Sequence, residues 1–192
     1  MNIEINDKMP QLVGFVGLAG AGKSTVTEFL RENGYSVVYF GDVVLNEIDR
    51  RGLVRNHENE KIVREDLRVL EGMDVMAKRS VAGIKTLLEA GNKVVIDGIY
   101  SLAEVEIFRK EIATQMITIA IHTPMALRYK RAALRGNRSL SKIELDNRDI
   151  AELSALDKAR PIVLADEHVV NDGDLEKLKI AIFEILARKS EI

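Results

Sequence analysis

The chain has 192 residues, enough for one sizeable core, and its 46% hydrophobic and 30% charged content excludes a disordered polypeptide. Its 28 Lys and Arg against 30 Asp and Glu leave a net charge of −2, so no basic field draws it to nucleic acid or a membrane surface. The absence of cysteine excludes disulfides, thiolate metal sites and a cysteine nucleophile, and His57, His122 and His168 lack zinc-like spacing.

Five short apolar runs, read in chain order, predict strands. They are Leu12–Val16, Val37–Phe40, Val94–Ile96, Met116–Ile121 and His168–Val170. The runs are near-continuous rather than alternating, as in parallel sheets covered on both faces. Between them lie helical patterns. Ser24 to Asn33 stops at Asn33-Gly34, and Asp74 to Ala90 stops at Gly91-Asn92. Asp174 to Lys189 has amphipathic spacing, with Asp174 as its N-cap. Arg50 to Arg68 and Arg135 to Asn147 are charged and weakly patterned, and both read as mobile excursions from the core. Alternating strand and helix with short connections implies an α/β fold with a parallel sheet and right-handed crossovers. No apolar run approaches the ~20 residues of a membrane span, and the N-terminal residues carry neither a basic nor an apolar leader pattern. A cytoplasmic protein is expected.

The strongest motif is Gly17-Leu18-Ala19-Gly20-Ala21-Gly22-Lys23-Ser24, which fits G-x-x-x-x-G-K-[ST] and lies between a predicted strand and a predicted helix. Gly17, Ala19, Gly20, Ala21 and Gly22 let successive backbone N–H groups turn inward toward phosphate oxygens, and the helix N-terminus adds partial positive charge at the same place. Lys23 is assigned to the β- and γ-phosphates, the Ser24 hydroxyl to Mg²⁺ and Thr25 to the α-phosphate region. Asp97 closes the third strand and sets a carboxylate beside this loop, a second candidate metal ligand. Asp42 follows the second strand. It serves either to orient or deprotonate an acceptor hydroxyl, or simply to cap the next helix.

Arg128, Arg131, Arg135 and Arg138 fall within an arc of roughly 80° on one continuous helix. That arc reads either as a lid face that neutralises a transferring phosphoryl group, led by Arg131 and Arg135, or as a solvated basic face. Tyr129, Ala133 and Leu134 turn the other way, toward a core. Arg50, Arg51, Arg55, Arg64 and Arg68, between the second and third strands, include candidates to grip an anionic acceptor.

These motifs together resemble the nucleoside monophosphate kinase group. Within it the chain is most similar to dephospho-coenzyme A kinases, and more so to a mainly archaeal set described as dephospho-CoA-kinase-related. The resemblance runs from about Leu12 to Ala187 and rests on the phosphate loop, Gly41-Asp42, Ile96-Asp97-Gly98, Arg131 and Arg135, Arg138, Arg148-Asp149 and the segment 165–173. It implies one phosphate-loop NTPase domain of three α/β/α layers around a five-stranded parallel sheet ordered 2-3-1-4-5. It further implies an acceptor-covering stretch at about 43–73 and a small helical lid at about 128–150. Implied too are ATP as donor with Mg²⁺, a small anionic acceptor of nucleotide or dephospho-coenzyme A type, and Asn171 and Gly173 passing the adenine. The sequence departs from the group at two points. Ile99-Tyr100-Ser101 follows Asp97-Gly98 where the group often has x-Pro-Arg, and Leu45 stands where the group often has Arg.

Three functions remain for the structure to weigh. The leading one is an ATP-dependent small-molecule kinase, and the alternative is a slow ATPase or nucleotide-dependent switch acting through a protein partner. A guanine-specific switch lacks its motif, since Asn92-Lys93-Val94-Val95 has no Asp at the required place. A nucleic-acid module is disfavoured by 5% aromatic content and the neutral charge balance.

Overall fold

The computed structural model describes residues 9–134 and 140–189. The strands are β1 (Leu12–Val16), β2 (Tyr35–Tyr39), β3 (Lys93–Asp97), β4 (Met116–His122) and β5 (Glu167–Val170). They form one parallel sheet in the order β2-β3-β1-β4-β5. Every residue of the central β1 is buried, and alternate side chains serve opposite faces. Leu12 and Val16 join one core cluster, while Val13 and Phe15 join the other.

Helices α1 (Lys23–Glu32) and α9 (Leu175–Arg188) cover the second of these faces, with Val26, Leu30, Leu178, Ile182 and Leu186 against the sheet. The first face is covered by α2 (Gly41–Arg50), α3 (His57–Glu71), α4 (Val75–Glu89) and α5 (Leu102–Glu111). Beyond β4 come α6 (Met125–Ala133), α7 (Lys142–Ala155) and the short α8 (Ala159–Val163). Asp174 caps α9 as the sequence predicts, its Oδ1 accepting from the backbone N–H groups of Glu176 and Lys177. No helix among the described residues is long and apolar enough to cross a membrane.

Three sequence expectations change. The second strand runs over Tyr35–Tyr39 rather than Val37–Phe40, because Phe40 leaves the sheet to begin α2. Phe40 is buried against Phe108, with ring centroids 5.8 Å apart. The charged stretch from Arg50 to Arg68 is no loose excursion: Asn56 caps α3 by accepting from the Asn59 N–H, and Val63 and Leu67 are buried in the same cluster as Val44 and Ile48 of α2. Its periodicity is weak because only two residues of this 15-residue helix are buried. Likewise Lys142–Ala155 is helical, opened by a capping box between Ser141 and Glu144. The same device at Ser101 and Glu104 opens α5, a helix the hydrophobic pattern does not announce.

Candidate active site

The carboxyl ends of β1, β3, β4 and β5 converge on one edge of the sheet, and the Gly17–Ser24 loop wraps over that edge. Gly17 and Gly22 cannot be replaced without cost. A Cβ on Gly17 would lie 2.6 Å from the Ile121 carbonyl oxygen, and one on Gly22 would lie 2.5 Å from Asn171 Nδ2, both at positive φ. Helix α1 starts at Lys23 with no side-chain cap and no acidic residue in its first turn. Its first N–H groups thus remain for an anion.

Lys23 Nζ donates to the carbonyls of Gly17 (2.7 Å) and Leu18 (3.1 Å), curling back into its own loop. Burial, and then the nearby charge of Lys158, press its pKa down to about 7. Ser24 Oγ donates to Asp97 Oδ2 at 3.4 Å, joining the loop to the end of β3. Ser24 and Thr25 are exposed, and Asp97 is half-buried. No cluster of three or more His, Cys, Asp or Glu among the described residues can enclose a metal ion. A hydroxyl and a carboxylate at this spacing suit Mg²⁺, which takes one or two protein oxygens and completes its shell with phosphate oxygens and water.

The loop is pinned from the β4 and β5 side. Thr123 Oγ1 and Asn171 Nδ2 both donate to the Ala21 carbonyl, each at 2.9 Å. Buried Asn171 also accepts, through Oδ1, from Arg131 Nη2 (3.0 Å) and the Gly173 N–H (3.3 Å). Arg131 Nη1 reaches the Gly20 carbonyl at 3.4 Å. Arg131, Asn171 and Gly173, separate in sequence, therefore form one bonded group beside Gly20, Ala21 and Gly22.

The arginine series divides. Arg128 is 5% exposed and faces inward, with Nη1 bonded to the Ala19 carbonyl (3.1 Å) and paired with Asp149 Oδ2 (2.7 Å). Leu134, expected in a core, is 76% exposed, and Ala133 is exposed as well. The buried face of α6 thus carries Arg128 and Ala132, because the loop carbonyls and Asp149 offer a charged side chain its partners. Helix α6 ends at Ala133, while Arg135 and Arg138 lie outside the described residues.

On the other side, Phe40 N–H donates to the Asp97 carbonyl at 3.0 Å, bringing the end of β2 next to Asp97. Asp42 follows in the first turn of α2, exposed and not the cap residue, so the capping explanation for it fails. Leu45 packs against the core.

Four residues that sequence reasoning passed over adjoin this group: Tyr100, Glu104, Glu152 and Lys158. Asp157, with φ of 54°, turns the chain after α7 and tucks Lys158 inward until it is 2% exposed. Lys158 Nζ binds Glu152 Oε2 at 2.6 Å and stands 4.0 Å from the centroid of the Tyr100 ring. Glu152 also accepts from Arg148 Nε at 2.8 Å. Arg148, Glu152 and Lys158 all act electrostatically on Lys23. A single lysine in a polar stretch carries no sequence signal of burial. The Ser101-x-x-Glu104 spacing does signal a capped helix, and it places Tyr100 one residue before the cap.

Comparison with known proteins agrees with this geometry. The AAA domain family matches residues 16–144. A UPF0200/UPF0201 protein of Archaeoglobus fulgidus is 41% identical over 181 residues, covering 93% of this chain and 55% of that protein, so the chain spans about half the length of that relative. The UPF0200 protein of Methanosarcina barkeri is 36% identical over 180 residues, covering 92% of this chain and 95% of its own. Among solved structures, TT1252 from Thermus thermophilus superposes with a TM-score of 0.57 at 22% identity, covering 94% of this chain and 98% of its own. A gluconokinase from Sinorhizobium meliloti (TM-score 0.57, 16% identity, 95% of each chain) has the same fold. So does a shikimate kinase from Bacteroides thetaiotaomicron (TM-score 0.57, 14% identity, 91% of this chain and 97% of that one). The structural likeness speaks for a phosphate-loop kinase fold, and the match along nearly the whole sequence shows that the chain belongs to the UPF0200 family.

Proposed function

We propose that the chain is a phosphotransferase that moves the γ-phosphoryl group of ATP to a hydroxyl of a small-molecule acceptor. The observation that carries this reading is the Ser24–Asp97 pair next to Lys23, inside a loop held open by Thr123, Asn171 and Arg131. Backbone N–H groups of the loop and the start of α1 bind the triphosphate tail of the donor. Lys23, released from the Gly17 and Leu18 carbonyls, follows the β- and γ-phosphates, and bound anion raises its depressed pKa so that it is charged when it matters. Ser24 and Asp97 are the residues that would hold Mg²⁺, which would supply neutralisation of the donor's phosphate charge. Arg131 and Arg135 neutralise charge on the transferring group. Arg131 also stands beside Asn171 and Gly173, where the adenine is assigned.

Asp42 accepts the proton of the acceptor hydroxyl. The acceptor oxygen forms its bond to the γ-phosphorus as the bond to the β,γ-bridging oxygen breaks, and ADP leaves. Exclusion of water keeps solvent from competing with the acceptor, a task the resemblance gives to the stretch at about 128–150. Nucleotide-like and dephospho-coenzyme A-like acceptors are the first to test, since the sequence resembles kinases of those compounds.

The test is ATP consumption, with Mg²⁺, in the presence and absence of an acceptor panel. Stimulation by one acceptor class with stoichiometric phosphorylated product supports the kinase. Slow hydrolysis indifferent to every acceptor supports a partner-driven ATPase or switch and defeats the reading. Thermal-shift screening in Mg-ATP narrows the panel, since a bound acceptor raises apparent stability by mass action.

A further inference from the structure

Six arginines lie between β2 and β3, and their surroundings sort them; Arg79 ends on Glu47 and Glu71. Arg50 and Arg51 both end on buried Glu47, and Arg51 also on Asp66. Arg55 ends on Asp49. Arg64 and Arg68 form no ion pair among the described residues, although they lie one turn apart on α3 and close enough for each to feel the other's charge. Arg68 is the stronger anomaly. It is half-buried, its carbon Cζ stands 5.5 Å from the centroid of the Tyr100 ring, and its Nε is sealed from solvent without a hydrogen-bond partner.

The same ring carries Lys158 at 4.0 Å. Two cations lie over one aromatic ring, three positions beyond Asp97, and a third, Arg148, hydrogen-bonds to the same residue. Their compensation is incomplete. Lys158 shares Glu152 with Arg148, and Glu104, the carboxyl near Arg68, keeps one oxygen, Oε1, buried and unpaired. Burial holds Glu104 at about 7, so it neutralises Arg68 only in part at neutral pH. An unpaired guanidinium N–H beside a second cation, with an aromatic face to stack on, is the arrangement that takes a planar or tetrahedral oxyanion.

We propose that Arg68, Lys158 and the ring of Tyr100 form an anion subsite on the acceptor side of the cleft. The acceptor is then a molecule with a phosphate or carboxylate group separate from the hydroxyl that is phosphorylated. This assignment rests on the kinase reading for the word acceptor, and on Arg68 for the anion. Phosphate and carboxylate share the chemistry that the guanidinium recognises.

The experiment titrates the full chain, labelled with ¹⁵N in its arginines and saturated with the non-hydrolysable analogue Mg-AMPPNP, with sodium phosphate or sodium acetate at constant ionic strength. The Nε–H signal of Arg68 is identified by its loss in Arg68→Lys. The expected result is a saturable shift of that signal in the millimolar range. In Arg68→Gln, where the anion is followed through the Nε–H signal of neighbouring Arg148, the affinity falls at least tenfold, while Mg-AMPPNP affinity and melting temperature hold. A response to phosphate alone assigns a phosphorylated acceptor, and a response to acetate alone assigns a carboxylic acid. No saturable shift with either anion while Mg-AMPPNP is bound, or undiminished anion affinity in Arg68→Gln, overturns the subsite and leaves the phosphate loop standing. Failure of Mg-AMPPNP itself to bind overturns the kinase reading and the acceptor assignment with it.

Discussion

Around the phosphate loop Arg128 and Arg131 reach main-chain carbonyls, Arg131 with an asparagine and Arg128 with Asp149 besides; around α2, α3 and α4, Arg50, Arg51, Arg55 and Arg79 end on carboxylates alone. Arg128 and Arg131 bond to Ala19 and Gly20, and so shape the loop that is to receive a ligand. Arg50, Arg51 and Arg79 all converge on Glu47, which they hold well below the usual carboxylate range by hydrogen bonding. Arg79 pairs with Glu71 too, which ties α4 to the end of α3. The first set braces the main chain of the loop, and the second is charge that neutralises itself to join helices. The count of arginines in a segment therefore says little about ligands. What matters is whether a carboxylate already occupies the guanidinium, and between β2 and β3 only Arg64 and Arg68 pass that test among the described residues.

The largest effect that sharpens this contrast is at Lys23. Lys23→Ala should lower transfer by about 10³-fold or more at intact fold, since no other cation in the loop replaces it. A variant with normal turnover in the ATP-consumption assay defeats the assignment. Next comes Arg128. Removing it strands Asp149 in a buried position, and Arg128→Ala should cost about 3–5 kcal/mol in denaturant unfolding. A loss below 1 kcal/mol, on the order of an exposed pair, would return Arg128 to the lid face.

Arg131 tests the opposite behaviour. Arg131→Ala should reduce kcat by about 10²-fold with a smaller change in ATP affinity. Weakened donor binding alone removes it from transfer chemistry and leaves it a loop-positioning residue.

Glu104 gives a pH test. Its folded pKa of about 7 lies above the ordinary 4.5, so the unfolded chain releases this proton first as pH rises. Stability from this group is therefore present below about pH 4.5 and is lost as pH rises toward 7, with no further change above. Glu104→Gln keeps an acceptor for the Tyr100 and Ser101 N–H groups and removes the titration. The variant should gain about 3 kcal/mol over the parent near pH 8 and nothing near pH 4. Equal melting temperatures at both pH values contradict the raised pKa. The smallest effect belongs to the exposed Arg55–Asp49 pair, where Arg55→Ala should leave the melting temperature unchanged within error.

Much of the donor half was legible in the sequence because it is local. Gly17 to Ser24 is contiguous, and the strand before it and helix after it are short, strongly patterned elements. Asp97 and Asp174 were legible for the same reason, each marking the end of an apolar run or the start of an amphipathic one. Helix α3 was misread because its inward face carries few apolar residues, and α6 because its buried face carries an arginine.

The amino-acid order alone determined the parallel α/β class, the strand count and the loop, since these follow from short-range periodicity and from glycine and lysine at set intervals. Which charges are free was decided only by tertiary structure. Pairing across Arg51–Asp66, Arg128–Asp149 and Lys158–Glu152 depends on where helices dock. The meeting of Arg68, Tyr100 and Lys158 joins three segments up to 90 residues apart. Electrostatic neutralisation acts through space and leaves no period along the chain, so a buried lysine and a solvated one are spelled with the same letter.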